Sequence, residues 1–277
     1  MKRNNFKIDF IGIGAPRCGT TWIYECLKEH PQICASKPKE LAFFNKEKQY
    51  LRGIDYYCSH FRHCDENKIK GEISPQYMPA KGTAQRIKSY FPEVKMLAVL
   101  RNPIERAFSH YYYLRGGGSE KISTFEETLK NQKRKLYLVD YGLYYTQLKK
   151  YLEVFPKENI LILIYEDILG DSVKFIQNIY KFLGVNENFI PQSVDKRINP
   201  PTTVHKTIKI LKRPALMERI KQIPKAGLLI DFFKKRLKSP YLKPPMKEET
   251  RIYLQQIYKE EIGNLEKLLN RKLDFWK

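Results

Sequence analysis

Gly12-Ile-Gly-Ala-Pro-Arg-Cys-Gly-Thr-Thr-Trp22 closes an apolar run that begins at Ile8, and its spacing decides the fold. Gly14 and Gly19 have the separation found in the phosphate-cradling loop G-x-x-x-x-G-K-[ST], which joins a buried strand to a helix. Thr20 stands where that loop requires lysine. A nucleoside triphosphatase needs the lysine on the β- and γ-phosphates and a hydroxyl on Mg²⁺. Here the cation comes earlier, at Arg17, while the glycines, the hydroxyls of Thr20 and Thr21 and the helix start are kept. The expectation is an anion site made of backbone N–H groups around Cys18 and Gly19, a helix dipole and two threonine hydroxyls. Its ligand should be a nucleotide whose transferable group is not a γ-phosphate. Trp22 either stacks on a base or fills the core.

Outward from this loop, strand and helix signals alternate. Ile8–Ile13, Gln32–Ala35, Ile69–Glu72, Lys95–Leu100 and Ile160–Tyr165 read as strands, the last two as continuous apolar runs suited to burial on both faces. Helical patterns cover Thr20–Glu29, Pro79–Tyr90, Pro103–Leu114, Tyr141–Val154 and Ser172–Leu183. The class is therefore α/β, a P-loop-like three-layer fold whose central parallel sheet of about five strands is flanked by helices. From about 191 to 245 the periodicity fades into a lysine-, arginine- and proline-rich segment with helical pieces at Lys206–Leu211 and Leu216–Gln222, read as a basic covering element. In Lys247–Asn270, Leu254, Tyr258, Ile262, Leu265 and Leu269 form one apolar stripe, so residues 247–277 should dock on the core. The 277 residues suit a single domain.

Composition narrows the partners. With 51 Lys and Arg against 30 Asp and Glu, the formal charge is +21, which favours anions: nucleotides, acidic glycans, nucleic acid or anionic membrane surfaces. The five cysteines are odd in number and scattered, which argues for a reducing compartment over a disulfide framework. The start reads as a first strand and not as a signal peptide, no run is long enough to span a membrane, and the expected location is cytoplasmic.

A second anion site is legible in Leu100-Arg101-Asn102-Pro103-Ile104-Glu105-Arg106-Ala107-Phe108-Ser109. Arg101 ends a buried strand, where ligands of parallel sheets collect, and Ser109 lies two turns into the next helix. An arginine fork with a hydroxyl suits a second, isolated phosphate; the alternative is an Arg101 ion pair with an incidental serine. Cys58-Ser-His-Phe-Arg-His-Cys64 invites a zinc reading, but four ligands on so short a segment do not converge easily on a tetrahedron, and an aromatic surface helix is expected there instead. His30, before Pro31, reads as a cap or packing residue.

The two anion loops together resemble the cofactor-binding motifs of sulfotransferases that use 3′-phosphoadenosine 5′-phosphosulfate (PAPS). Three further stretches are similar to the heparan-sulfate-type and bacterial branch of that family, in the family's order: Lys37-Pro-Lys-Glu-Leu-Ala-Phe-Phe44, Gly71-Glu-Ile-Ser-Pro-Gln-Tyr77 and Leu265-Glu-Lys-Leu-Leu-Asn-Arg-Lys-Leu-Asp-Phe-Trp276. The resemblance implies that Arg17, Cys18, Gly19, Thr20 and Thr21 hold the 5′-phosphosulfate, that Arg101 and Ser109 hold the 3′-phosphate, and that Trp22 contacts adenine. It implies that Glu40 is the general base, with Lys39 assisting at the sulfuryl group, and that Lys206 reaches a phosphate from the covering segment. The reaction implied is metal-independent sulfuryl transfer to a hydroxyl or amine, leaving adenosine 3′,5′-bisphosphate (PAP). The acceptor is read as a carbohydrate, with a small secondary metabolite as the alternative. Two positions depart from the pattern: Arg17 replaces the usual lysine, and Ile73 replaces the lysine often found before Ser-Pro. A small-molecule kinase would share the fold but needs the missing lysine and a Mg²⁺ carboxylate. A nucleic-acid-binding module would explain the charge but leave Arg101 and Ser109 without a role.

Overall fold

The five runs read as strands pair side by side in one sheet. The structure, a computed structural model, describes residues 6–116, 124–196 and 245–276. Strands β1 (Phe10–Gly14), β2 (Ile33–Ala35), β3 (Ile69–Ile73), β4 (Lys95–Leu100) and β5 (Ile160–Ile164) form an all-parallel sheet of order β2-β3-β1-β4-β5. Register follows burial: Ile11 lies beside Glu72 on one side and Met96 on the other, and Val99 beside Leu163. β5 is an edge strand, so its Leu161, Ile162 and Leu163 are only half-buried, where the sequence suggested burial on both faces. An apolar run by itself does not distinguish an edge from a centre.

Helices flank the sheet: α1 (Thr20–Glu29), α2 (Glu47–Tyr50), α3 (Ile54–Ser59), α4 (Thr83–Tyr90), α5 (Pro103–Gly116), α6 (Phe125–Lys130), α7 (Gln132–Leu138), α8 (Tyr144–Leu152), α9 (Glu166–Gly170), α10 (Ser172–Leu183) and α11 (Glu248–Leu269). The long periodic helices lie where the sequence pattern puts them. The short ones, α2, α3, α6, α7 and α9, carry too few turns to show a period. The stripe on α11 is buried through Leu254, Tyr258, Ile262 and Leu265, and the Tyr258 hydroxyl donates to the Val139 carbonyl at 2.8 Å. Trp276 is buried against Tyr144. Lys206, the helical pieces at 206–211 and 216–222, and most of the basic covering segment lie outside the described residues.

The cysteine reading needs correction. Cys34 and Cys64, thirty positions apart, are paired, while Cys18, Cys26 and Cys58 are free thiols. The chain after α3 folds back over the β2 edge and brings the two Cα atoms within 5.7 Å, a proximity that no sequence spacing announces.

Gly71 packs its backbone onto a ring in the sheet. A Cβ there would lie 2.5 Å from three ring atoms of Phe10, and one on Gly12 would lie 2.8 Å from Ile73 Cγ1. Gly71→Ala should therefore destabilise the fold by about 1–3 kcal/mol, the usual scale of overpacking, read as a lower urea midpoint. An unchanged midpoint would show that this layer has room the geometry denies.

Candidate active site at the carboxyl edge of the sheet

Every connection from a parallel strand leaves the same edge, so all the chemistry-bearing loops emerge together. The loop after β1 and the turn after β4 lie on neighbouring strands whose chains then run in opposite directions across the sheet. That is a topological switch point, where such sheets bind ligands. Gly19 caps α1 in the left-handed conformation (φ 80°), with no side chain bonded to the first turn and no acid in it. The leading N–H groups of α1 and the positive end of its dipole thus face outward without a protein anion.

Arg17 precedes them in the strained positive-φ region (φ 71°). Its guanidinium lies 4.6 Å from the centre of the Tyr113 ring, and its buried Nε has no hydrogen-bond partner among the described residues. Burial lowers its proton affinity, and the neighbouring Arg101 and Arg106 lower it further. Arg101 stacks 5.0 Å from the Tyr165 ring centre, and the same ring covers Gly19, where a Cβ would meet it at 3.0 Å. Tyr165, the first residue after β5, therefore ties the two anion loops to each other. Among the described residues, none of Arg17, Arg101 and Arg106 is ion-paired with a carboxylate. Asn102 sets the angle of the second loop. Its side-chain oxygen accepts from the Ile104 N–H at 2.9 Å, its amide donates to the Trp276 carbonyl, and its backbone N–H donates to Glu166.

The remaining expected residues divide between the start of α1, α5 and the core. Thr20 is buried, Thr21 half-buried, and Ser109 is buried on α5. Cys18 turns its thiol into the core beside Tyr144, where burial raises its pKa to about 11, so only its backbone faces the loop. Trp22 is in the core too, packed against Phe175, with its indole N–H donating to the carbonyls of Ser193 (3.0 Å) and Val194 (3.2 Å). His30 has the packing role expected of it, against Tyr180 and Phe189.

Arg106 and His110 carry no separate signal in the sequence. Arg106 is fully buried and donates to the carbonyls of Tyr137 and Leu138 at the C-terminal end of α7, where the helix dipole favours a cation. His110 Nδ1 lies 3.3 Å from it. Burial, then Arg106 and Arg17, push the His110 pKa down to about 3.

A third loop comes from the edge of the sheet. After β2 the chain passes Lys37, and Glu40 (φ 63°) and Ala42 (φ 52°) both adopt the left-handed region. Only four described residues other than glycine do so, and three of them are Arg17, Glu40 and Ala42. Such strain persists only where the surroundings over-determine it. Glu72 supplies that constraint. Fully buried at the end of β3, its carboxylate accepts from Ser74 Oγ (2.6 Å) and from the Tyr77 hydroxyl (2.8 Å). Those hydroxyl oxygens in turn accept from the backbone N–H groups of Ala42 (3.1 Å) and Phe43 (3.0 Å). Burial raises the Glu72 pKa while the hydroxyls pull it down. Phe43 and Phe44 seat the loop among Tyr57, Tyr77 and Phe91. Lys39 and Glu40, at the outer end, form an ion pair. Glu72, Ser74 and Tyr77 were visible as a matching segment without a role; their function is long-range bonding, which spacing does not encode.

The chain matches the sulfotransferase domain family over residues 7–266. The membrane-associated sulfotransferase kil1 of Dictyostelium discoideum is 35% identical over 108 residues, 38% of this chain and 22% of that protein. The human bifunctional heparan sulfate N-deacetylase/N-sulfotransferase 3 is 30% identical over 196 residues, 64% of this chain and 22% of that protein. This chain thus spans about a fifth of the length of those two relatives. The crystal structure of a sulfotransferase from Alicyclobacillus acidocaldarius superposes with a TM-score of 0.74 at 26% identity, covering 98% of this chain and 99% of that one. A mouse sulfotransferase complexed with PAP shares the fold, with a TM-score of 0.52 at 17% identity, over 95% of this chain and 88% of that one. Among the described residues, no helix is long and apolar enough to cross a membrane.

Two outcomes test this geometry. Tyr77→Phe, which keeps the ring and removes one acceptor, should speed hydrogen exchange of the Phe43 amide by roughly 3- to 10-fold, the scale of one net hydrogen bond. Unaltered protection would show that the bond does not hold the loop. For His110 the unfolded chain takes up a proton near pH 6.5 while the folded state refuses it down to about 3. Its contribution to stability is complete above pH 6.5 and drains away as pH falls, by up to about 1.4 kcal/mol per unit. Between pH 6.5 and 5, His110→Gln should lose clearly less stability in urea titrations than the wild type. Equal losses would place the charge elsewhere.

Proposed function

We propose that this chain, which belongs to the sulfotransferase domain family, transfers a sulfuryl group from PAPS to a hydroxyl or amine of an acceptor, with PAP as the second product. The observation that carries this reading is the pair of uncompensated cationic loops at the switch point, one with an orphaned buried Arg17 Nε and an uncapped helix start. Two separated anion sites fit a nucleotide with phosphate at both its 3′ and 5′ positions. They do not suit a single triphosphate chain.

In this reading Arg17, the loop backbone at Cys18 and Gly19, Thr20 and Thr21 hold the 5′ end, and Arg101 with Ser109 holds the 3′-phosphate. The co-substrate supplies the activated sulfur–oxygen bond. Arg17 is permanently charged, so its part is to stabilise negative charge on the departing phosphate and not to shuttle a proton. Glu40 accepts the acceptor's proton as general base, and the Glu72–Ser74–Tyr77 latch keeps it aimed. Lys39, ion-paired with Glu40, is the cation assigned to the sulfuryl oxygens. Trp22, whose N–H donates to the Ser193 and Val194 carbonyls, is the residue assigned to the adenine contact. Arg17, Arg101 and Arg106 make the surroundings of the loop cationic, which supports transfer without a divalent metal. Relatives named for heparan sulfate support a carbohydrate acceptor.

Calorimetry tests the carrying observation. PAP should bind well ahead of AMP, and Arg101→Ala should erase the difference. Equal affinity of the wild type for the two nucleotides would overturn the two-site reading. Glu40→Gln should keep PAP affinity while transfer from PAPS falls by roughly 10²-fold or more. Undiminished turnover in that variant would remove Glu40 from the mechanism.

A further inference from the structure

Outside the nucleotide site, the fold collects one group of soft ligands. Cys34, in β2, meets Cys64 and His63, which follow α3, and the ligand atoms of the three lie within 4.8 Å of one another. His63 Nε2 is 3.6 Å from Cys34 Sγ and 3.9 Å from Cys64 Sγ. Bonds of about 2.3 Å to sulfur and 2.0–2.1 Å to nitrogen in a tetrahedral zinc site put ligand atoms roughly 3.5–3.8 Å apart. The imidazole nitrogen therefore already stands close to a tetrahedral edge from both sulfurs. Only the separation between the sulfurs, bonded here, must open. The other histidine of the 58–64 cluster is engaged elsewhere: His60 Nδ1 donates to the Lys37 carbonyl at 3.0 Å, and its ring packs on Tyr56. The convergence problem of a short segment is thus solved by a third ligand from the sheet.

We propose that Cys34, His63 and Cys64 form a site for a thiophilic divalent cation of the zinc class, which the reduced protein binds in place of the Cys34–Cys64 disulfide. A dithiol reductant opens the bridge: it is oxidised to its own disulfide, and two electrons and two protons pass to the cysteine sulfurs. The cation then displaces both thiol protons to solvent and takes two thiolates and the neutral His63 nitrogen. His63 is exposed, so a water completes the fourth position. The site is separate from the transfer pocket in chemistry, yet β2 leads directly to Glu40, and Lys37 is bonded to the end of α3 in both directions.

The test uses the full chain, reduced with a phosphine, stripped of metal and kept anaerobic, with Co(II) as the probe. One equivalent should bind with thiolate-to-cobalt charge-transfer absorption, and added Zn(II) should bleach it. Cys34→Ser and Cys64→Ser should each abolish the band, Cys58→Ser should keep it, and His63→Ala should weaken binding roughly tenfold or more. Because a serine variant can fail to fold, the wild type supplies a second measurement. Zn(II) should slow alkylation of Cys34 and Cys64, mapped by mass spectrometry, and leave Cys58 unaffected. Absence of the band in the reduced wild type, its survival in either Cys34→Ser or Cys64→Ser, or equal alkylation with and without zinc would each overturn the site.

Discussion

Five parallel strands release every loop that matters at one edge of the sheet, and the rest of the molecule depends on that constraint. β1 and β4 are neighbours, but their chains run to opposite sides, so the loops after them flank a crevice without blocking it. Arg17 and Arg101 stand on those two loops, and Tyr165, from the next strand, touches both neighbourhoods. The charge arrangement follows. Burial, with Arg101 and Arg106 close by, lowers the proton affinity of Arg17, a cost that a bound anion would offset.

The same edge stores strain where chemistry is expected. Arg17, Glu40 and Ala42 adopt backbone angles that side-chain-bearing residues avoid, each costing on the order of 1–3 kcal/mol. Glu72 is what offsets this cost on the Glu40 side. A buried carboxylate facing two hydroxyls, each of which also receives a backbone N–H, is a closed polar network. Closed networks hold geometry tightly because any member left unpaired is expensive to bury. The aromatic floor of Phe43, Phe44, Tyr57 and Phe91 excludes the water that would otherwise compete for those bonds.

Arg106 illustrates the opposite use of charge. It is a buried cation without a carboxylate among the described residues, yet its N–H groups meet the carbonyls at the end of α7, so it acts as a clasp between helices. His110 beside it must stay neutral for the clasp to close. A positive cluster in this protein therefore has two faces, one whose charge no described carboxylate offsets and one spent on the fold, and only contacts tell them apart.

Local patterns suffice for much of the architecture. The glycine spacing at 14 and 19, the apolar runs and the stripe of α11 settle an α/β fold, because strand and helix periods are properties of neighbouring residues. Arg17 and Arg101 are legible as candidates because short motifs carry chemistry in order along the chain, and Glu40 through the family resemblance alone. What the tertiary structure decided are relations across distance: Glu72 latching Ala42 and Phe43, Trp22 and the Cys18 thiol in the core, β5 at an edge, and Cys34 beside His63 and Cys64. Each depends on which strand lies next to which. Strand order is set by the burial of whole surfaces, and no window of sequence contains it.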